Sequence, residues 1–205
     1  ELIVAYASSG SSGALAASEF ATGVTARALE RGPGVTDAGG TTFNTRGWNG
    51  TSVESALTLG DRIDWGWDGG PAWDLEWLEL LYDRSGTGPQ RLAILLSVDR
   101  GLNWNTLYTD DAVSPDSNDQ PKIALHDYRN VESATFRLVG WNASSAAGTF
   151  DFENFTSAPS RAIAVTGSLS PPAAVPEPAL APVLAAAAAA LVALKRRRRN
   201  PSATP

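Results

Sequence analysis

The sequence predicts an all-β protein: an antiparallel β-sandwich over residues 1–158, a Pro/Ala linker over 159–174 and one C-terminal transmembrane helix. Three observations predict it. Short segments alternate apolar and polar residues with a period of two, and glycine-, proline- and aspartate-rich turns separate them. From Ser157 onward the composition shifts to small residues and proline.

Taken in order, the glycines of "GPG" and "GG" mark turns within residues 32–40. In "RIDWGWD", Ile63, Trp65 and Trp67 share one face, with Arg62, Asp64 and Asp68 on the other. Such alternation gives a strand one buried and one wet side. "DLEWLELLYD" fits a strand or, through Leu75, Leu78 and Tyr82, a helical face; the flanking "DGGP" and "SGTGP" turns favour a long strand. "RLAILLSV" (91–98) is apolar without alternation, which suits a strand buried on both faces. "DDAVSPDSNDQP" (110–121) is a long polar loop. "ATFRLVGW" sets Phe136 and Leu138 against Arg137 and Val139, and "TFDFENF" sets Phe150 and Phe152 against Asp151 and Glu153. "SLSPPAAVPEP" stays extended and packs no core.

Charge is unevenly placed among the 205 residues. All 22 acidic residues precede Pro178, while five of the 16 basic ones fall in 195–199, so residues 1–194 carry a net −11 and the tail +5. A body this acidic repels polyanions, which disfavours nucleic acid as a partner. Cysteine is absent, so disulfides and thiolate metal sites are excluded.

The tail is the most specific stretch. From Pro178 to Leu194 no side chain is charged or strongly polar, and Ala179–Leu194 as a helix would span ~24 Å at ~1.5 Å per residue. That is short of the ~30 Å hydrocarbon core. The stems of Lys195, Arg196, Arg197, Arg198 and Arg199 extend it, because their charges can reach the headgroups. Ala179, Leu180, Val183, Leu184, Leu191, Val192 and Leu194 form the lipid-facing helix, and Pro182 sits in its first turn, where a missing N–H costs little. The cations stay on the cytoplasmic side, leaving the acidic body outside.

Val175-Pro176-Glu177-Pro178, an apolar helix and a basic block, in that order, resemble the PEP-CTERM sorting signal, a segment also found on some ice-binding proteins. The resemblance implies a bacterial host, an upstream signal peptide and recognition by exosortase, a membrane-embedded transpeptidase-like enzyme. It implies that residues 175–200 are a sorting and anchor segment, with 201–205 a short tail. The stretches "GVTARALERGPGV", "FNTRGWN", "DRSGTGPQRLAILLSVDRG" and "FRLVGWNASSAAGTFDFENF" also resemble the jelly-roll-like sandwiches that precede this tail. That likeness implies a fold and assigns no activity.

Within the body, "SVDRGLNW" (97–104) has the Asp-box spacing S-x-D-x-G-x-x-W. It reads as a hairpin turn, with Asp99 and Gly101 shaping it and Trp104 packing beneath. Seven tryptophans in a β protein invite a sugar-stacking reading, since an indole face matches the apolar face of a pyranose. Strand context assigns Trp65, Trp67 and Trp141 to the core. Trp73 in "DGGPAWD" is the expected exposed platform and Trp48 the second, with Asp68 and Asp74 to hydrogen-bond hydroxyls.

Asp110, Asp111, Asp116 and Asp119 lack EF-hand spacing and read as a solvated loop, so no metal is expected. His126, the single histidine, has no nucleophile motif around it, and no cofactor signature is present. The expectation is an exported, membrane-anchored surface or matrix protein with a non-catalytic binding or structural sandwich. Its partners would be exosortase, the inner membrane and an exopolysaccharide. The alternatives are a small extracellular carbohydrate-active enzyme and an anchored protein that is never processed.

Overall fold

The computed structural model describes residues 1–9, 13–116 and 119–171; the linker beyond Pro171, the sorting motif, the membrane helix and the basic block lie outside the described residues. In chain order the first strands are β1 (Leu2–Tyr6), β2 (Glu19–Phe20), β3 (Thr25–Ala26), β4 (Glu30–Arg31), β5 (Thr36–Asp37) and β6 (Asn44–Arg46). The helix α1 (Val53–Leu59) precedes β7 (Arg62–Gly69), β8 (Trp73–Leu80), β9 (Tyr82–Arg84), β10 (Arg91–Ser97) and β11 (Asn105–Asp110). Then come β12 (Lys122–Ala124), β13 (Ala134–Trp141), β14 (Thr149–Phe152) and β15 (Ile163–Leu169).

The strands form three antiparallel sheets. A five-stranded sheet runs β12-β8-β15-β1-β2 and a six-stranded one β11-β10-β13-β7-β3, with β4 also on β7. A four-stranded sheet runs β5-β6-β14-β9. One core joins their inner faces. Ile3, Leu75, Leu78 and Val165 from the first sheet meet Ile63, Trp65, Leu92 and Phe136 from the second, and Phe150 and Phe152 from the third. Trp65 stacks on Phe136 at 5.7 Å and meets the edge of Phe152 at 6.3 Å. The period-two readings of β7, β13 and β14 hold, with their predicted apolar faces fully buried.

The ambiguous "DLEWLELLYD" segment is extended, as its glycine turns imply, but it is not one long strand: Tyr82 opens β9 in the four-stranded sheet, and the part up to Leu80 is β8. Its register against β15 breaks between Thr166 and Gly167, so Trp77 faces Thr166 and Leu75 faces Gly167. Glu76 is the extra residue of this bulge. The slip turns Trp77 outward, whereas unbroken alternation from Trp73 and Leu75 would have sent it inward.

Helix α1 was not expected. Ser52 accepts from Ser55 N while Ser55 Oγ accepts from Ser52 N at 2.9 Å, and Gly60 closes the helix at φ 82°. Ala56 packs on the outer face of the six-stranded sheet against Ala93, Leu95, Val139 and Trp141. That cover explains why β10 is apolar on both faces, as its unalternating sequence predicts.

The predicted boundary at 158 is too early. Ile163, Ala164 and Val165 are buried, and β15 pairs with both β8 and β1 at the centre of the five-stranded sheet. Gly167 is needed there, because a Cβ would lie 2.6 Å from Asp74 O and 2.9 Å from Ile3. The compact unit therefore runs from Glu1 to Ser170. Among the described residues, no helix is long and apolar enough to cross a membrane.

Candidate functional site

Neither expected tryptophan platform is on the surface. Trp73 is 1% exposed because it opens β8 on the inward parity of Leu75. Trp48 is also 1% exposed. Its indole donates to Thr45 O at 3.1 Å and lies over Gly140, where even a Cβ would come within 2.8 Å of the ring. Asp68 and Asp74 are on strands of different sheets, β7 and β8. Asp68 pairs with Arg27 at 2.9 Å. Asp74 accepts from Ser170 Oγ at 2.6 Å, Asn130 N at 2.9 Å and Arg129 at 3.3 Å. Those bonds, the Ser170 hydroxyl foremost, hold its carboxyl below the usual range, and they make it a clamp on the end of β15.

The aromatic that does reach the outer face of the five-stranded sheet is Trp77, a residue the sequence reading passed over. Register places Ala124, Trp77, Thr166 and Leu2 in one row across β12, β8, β15 and β1. Ala124 and Thr166 are small, so the half-buried indole stands above its neighbours in this strip, whose Leu2 end packs against the cluster around Phe155. His126 meets the ring edge-on at 5.0 Å, and Lys122 Nζ lies 4.8 Å from its centroid while bonding Glu79 at 2.7 Å. Trp48, Trp67 and Trp104 spend their indole N–H on backbone carbonyls. Trp77 Nε1 has no such acceptor among the described residues, so its donor is free for a ligand. The strip thus combines an aromatic plane, a carboxylate acceptor, an ammonium donor, a hydroxyl and an imidazole.

The Asp-box turn forms as expected between β10 and β11. Ser97 Oγ donates to Asp99 Oδ1 and accepts from Gly101 N, both at 2.7 Å, and Asp99 accepts from Asn103 N at 2.9 Å. The Asn103 N–H and amide, then Ser97, bring the Asp99 carboxyl down to about 2. Arg100 and Gly101 take φ 60° and 89°, which glycine permits at the second position. Trp104 donates to Gly101 O at 3.1 Å and is only partly covered.

Two carboxylates do come together. Asp151 on β14 faces Asp83 on β9, and Thr42 Oγ1 donates to Asp151 at 3.2 Å. Burial, then the hydrogen bond and charge of Asp83, push the Asp151 carboxyl up to about 8. Glycosidases hold their carboxyl pair apart, at roughly 5–5.5 Å or 6.5–9.5 Å, so that the scissile bond fits between them. Asp83 and Asp151 are directly opposite each other on neighbouring strands.

The predicted acidic loop is held by its own turns. Asp110 accepts from Tyr82 Oη at 3.2 Å and Ala112 N at 2.9 Å, and Asp119 from Ser114 N at 3.1 Å. Among the described residues no three acidic or histidine side chains converge as metal ligands.

No family model and no curated protein matches the chain. Among solved structures, a "Carbohydrate binding module family29" is 12% identical over 83% of this chain and 90% of its own, with a TM-score of 0.44. A variant of a family 29 module solved with mannohexaose is 13% identical over 82% and 92%, at 0.43. Another, solved with cellulohexaose, is 12% identical over 83% and 91%, at 0.42. Likenesses this distant carry no argument about what this chain binds.

Proposed function

We propose that the sandwich is a non-catalytic binding domain for a neutral polysaccharide, displayed outside the cell by a bacterial surface or matrix protein. The observation that carries the reading is the Trp77 strip. A pyranose offers an apolar face and a rim of hydroxyls, and the strip offers a matching plane with donors and acceptors at its edge. Lys122 is bonded to Glu79 in an exposed pair worth no more than ~1 kcal/mol, so a sugar can displace the ammonium from the ring at small cost. Along the face Lys122 and Arg129 offset Glu79 and Asp74, Glu76 adds a further negative charge, and the body as a whole is acidic. An acidic surface favours an uncharged glycan over a uronate.

The export half of the proposal rests on the tail: Val175 to Pro178, the apolar run and Lys195 to Arg199 in sorting-signal order. In this reading the segment anchors the protein in the inner membrane until exosortase cuts near the motif. The body is then a jelly-roll-like domain, as its resemblance to others ahead of this tail implies.

Affinity electrophoresis through gels containing glucomannan, hydroxyethylcellulose or polygalacturonate tests the ligand. Retardation in a neutral polymer that Trp77→Ala abolishes supports the reading. Retardation only in the uronate, or unchanged retardation of Trp77→Ala, refutes it.

A further inference from the structure

The outer face of the six-stranded sheet carries a second arrangement of the same chemistry. Register lines up Thr106, Leu95, Arg137, Asp64 and Glu30 in one row across β11, β10, β13, β7 and β4. Arg137 grips Asp64 through Nε at 2.7 Å and Nη2 at 3.0 Å, and its guanidinium lies 4.0 Å from the centroid of the Trp104 ring. Arg62 Nε adds a third bond to Asp64 at 3.1 Å. On one side of this row Ala93 and Val139 are buried beside α1, and on the other Ser97 and Thr135 are buried. The row is therefore a strip of polar groups, interrupted by the buried Leu95, between two covered rows, with the partly exposed Trp104 indole against Arg137.

We infer that this strip is a second glycan-binding site and that one sandwich cross-links two polysaccharide chains. The inference rests on the glycan reading of the Trp77 strip. Three features carry it. The Asp-box bonds fix Trp104 in place before any ligand arrives, which lowers the ordering cost of binding. Arg137 bonds Asp64 through two of its three nitrogens, leaving Nη1 without a partner among the described residues at the strip's surface. The charges of Arg62, Arg137, Asp64 and Glu30 cancel, so this site also suits a neutral ligand. Because the two strips lie on outward faces of opposed sheets, whose backbones pack ~10 Å apart, they point in opposite directions. One glycan cannot lie on both.

Calorimetry of the full chain with a glucomannan hexasaccharide tests this, with light scattering on long-chain glucomannan as a second readout. The wild type is expected to bind two hexasaccharides, Trp77→Ala and Trp104→Ala one each, and the double variant none. Scattering should rise only for the wild type. Trp104→Ala also removes packing against Leu95, so Arg137→Lys is measured beside it. That variant keeps the charge and loses the planar fork, and should weaken the second site at least tenfold. A wild-type stoichiometry of one that Trp104→Ala and Arg137→Lys leave untouched overturns the second site while sparing the first. A wild type that binds neither this probe nor any neutral polymer removes both.

Discussion

Tyr6→Phe isolates a single hydroxyl that ties the two main sheets together. Tyr6 is fully buried on β1, and its Oη lies 2.8 Å from Arg27 O, 2.9 Å from Gly66 O and 3.1 Å from Gly66 N. Phenylalanine fills the same space, so the change creates almost no cavity. Gly66 O keeps its bond from Arg27 N at 2.9 Å, but the Gly66 N–H and Arg27 O lose their partner. An orphaned buried polar group costs about 1–3 kcal/mol, and Arg27 is partly exposed, so water can repair its carbonyl. The expected loss is therefore about 2 kcal/mol, dominated by the Gly66 N–H. At roughly 2–4 °C per kcal/mol for a unit of this size, the midpoint should fall by about 4–8 °C. Urea denaturation measures it, with an unchanged m-value showing that the unfolded state is the same. A loss below about 0.5 kcal/mol would refute the reasoning, since it would mean that Gly66 N–H finds another acceptor.

Two further outcomes are expected. Asp151 has a folded-state pKa raised to about 8, so its contribution is full below the ordinary carboxylate range and is lost as pH rises through 8. Asp151→Asn should flatten that part of the stability–pH curve and, at pH 9, be about 1 kcal/mol more stable than the wild type, whose Asp83 and Asp151 charges then face each other; identical pH profiles would sink the account of a raised Asp151 carboxyl. If the tail is a sorting signal, mass spectrometry of the mature protein from its host should place the C-terminus near Val175 to Pro178, and an intact arginine block on the surface form would make the segment an anchor only.

The strands were legible where one face is wet and the other dry, as in β7 with Ile63, Trp65 and Trp67. Helix α1 was not, since seven residues carry too little periodicity; its signal lay in Ser52, Ser55 and Gly60. β15 was obscured by the proline-rich run behind it, and the alternation of Ile163 and Val165 with Ala164 and Thr166 went unread. The site was misread for a local reason. Trp73 shares parity with the buried Leu75, which the sequence does display, but the bulge at Glu76 resets that parity and turns Trp77 outward. Only the spacing of Leu75 and Leu78 hinted at the slip. Trp48 depends on the missing side chain of Gly140, 92 residues away, and no local pattern reports such a contact.

The position of β15 has a mechanical consequence. It is the last strand among the described residues, yet it lies between β8 and β1 and not at an edge. A pull on the chain beyond Leu169 acts along a strand held by ladders on both sides. Such a load shears many hydrogen bonds at once, where a pull on an edge hairpin would open them singly. Trp77 stands directly across from Thr166, so tension between a polymer on that strip and a tethered tail would pass straight through the β8–β15 ladder. If the strip binds a polymer and the tail is tethered, grip and tether fall on neighbouring strands, β8 and β15.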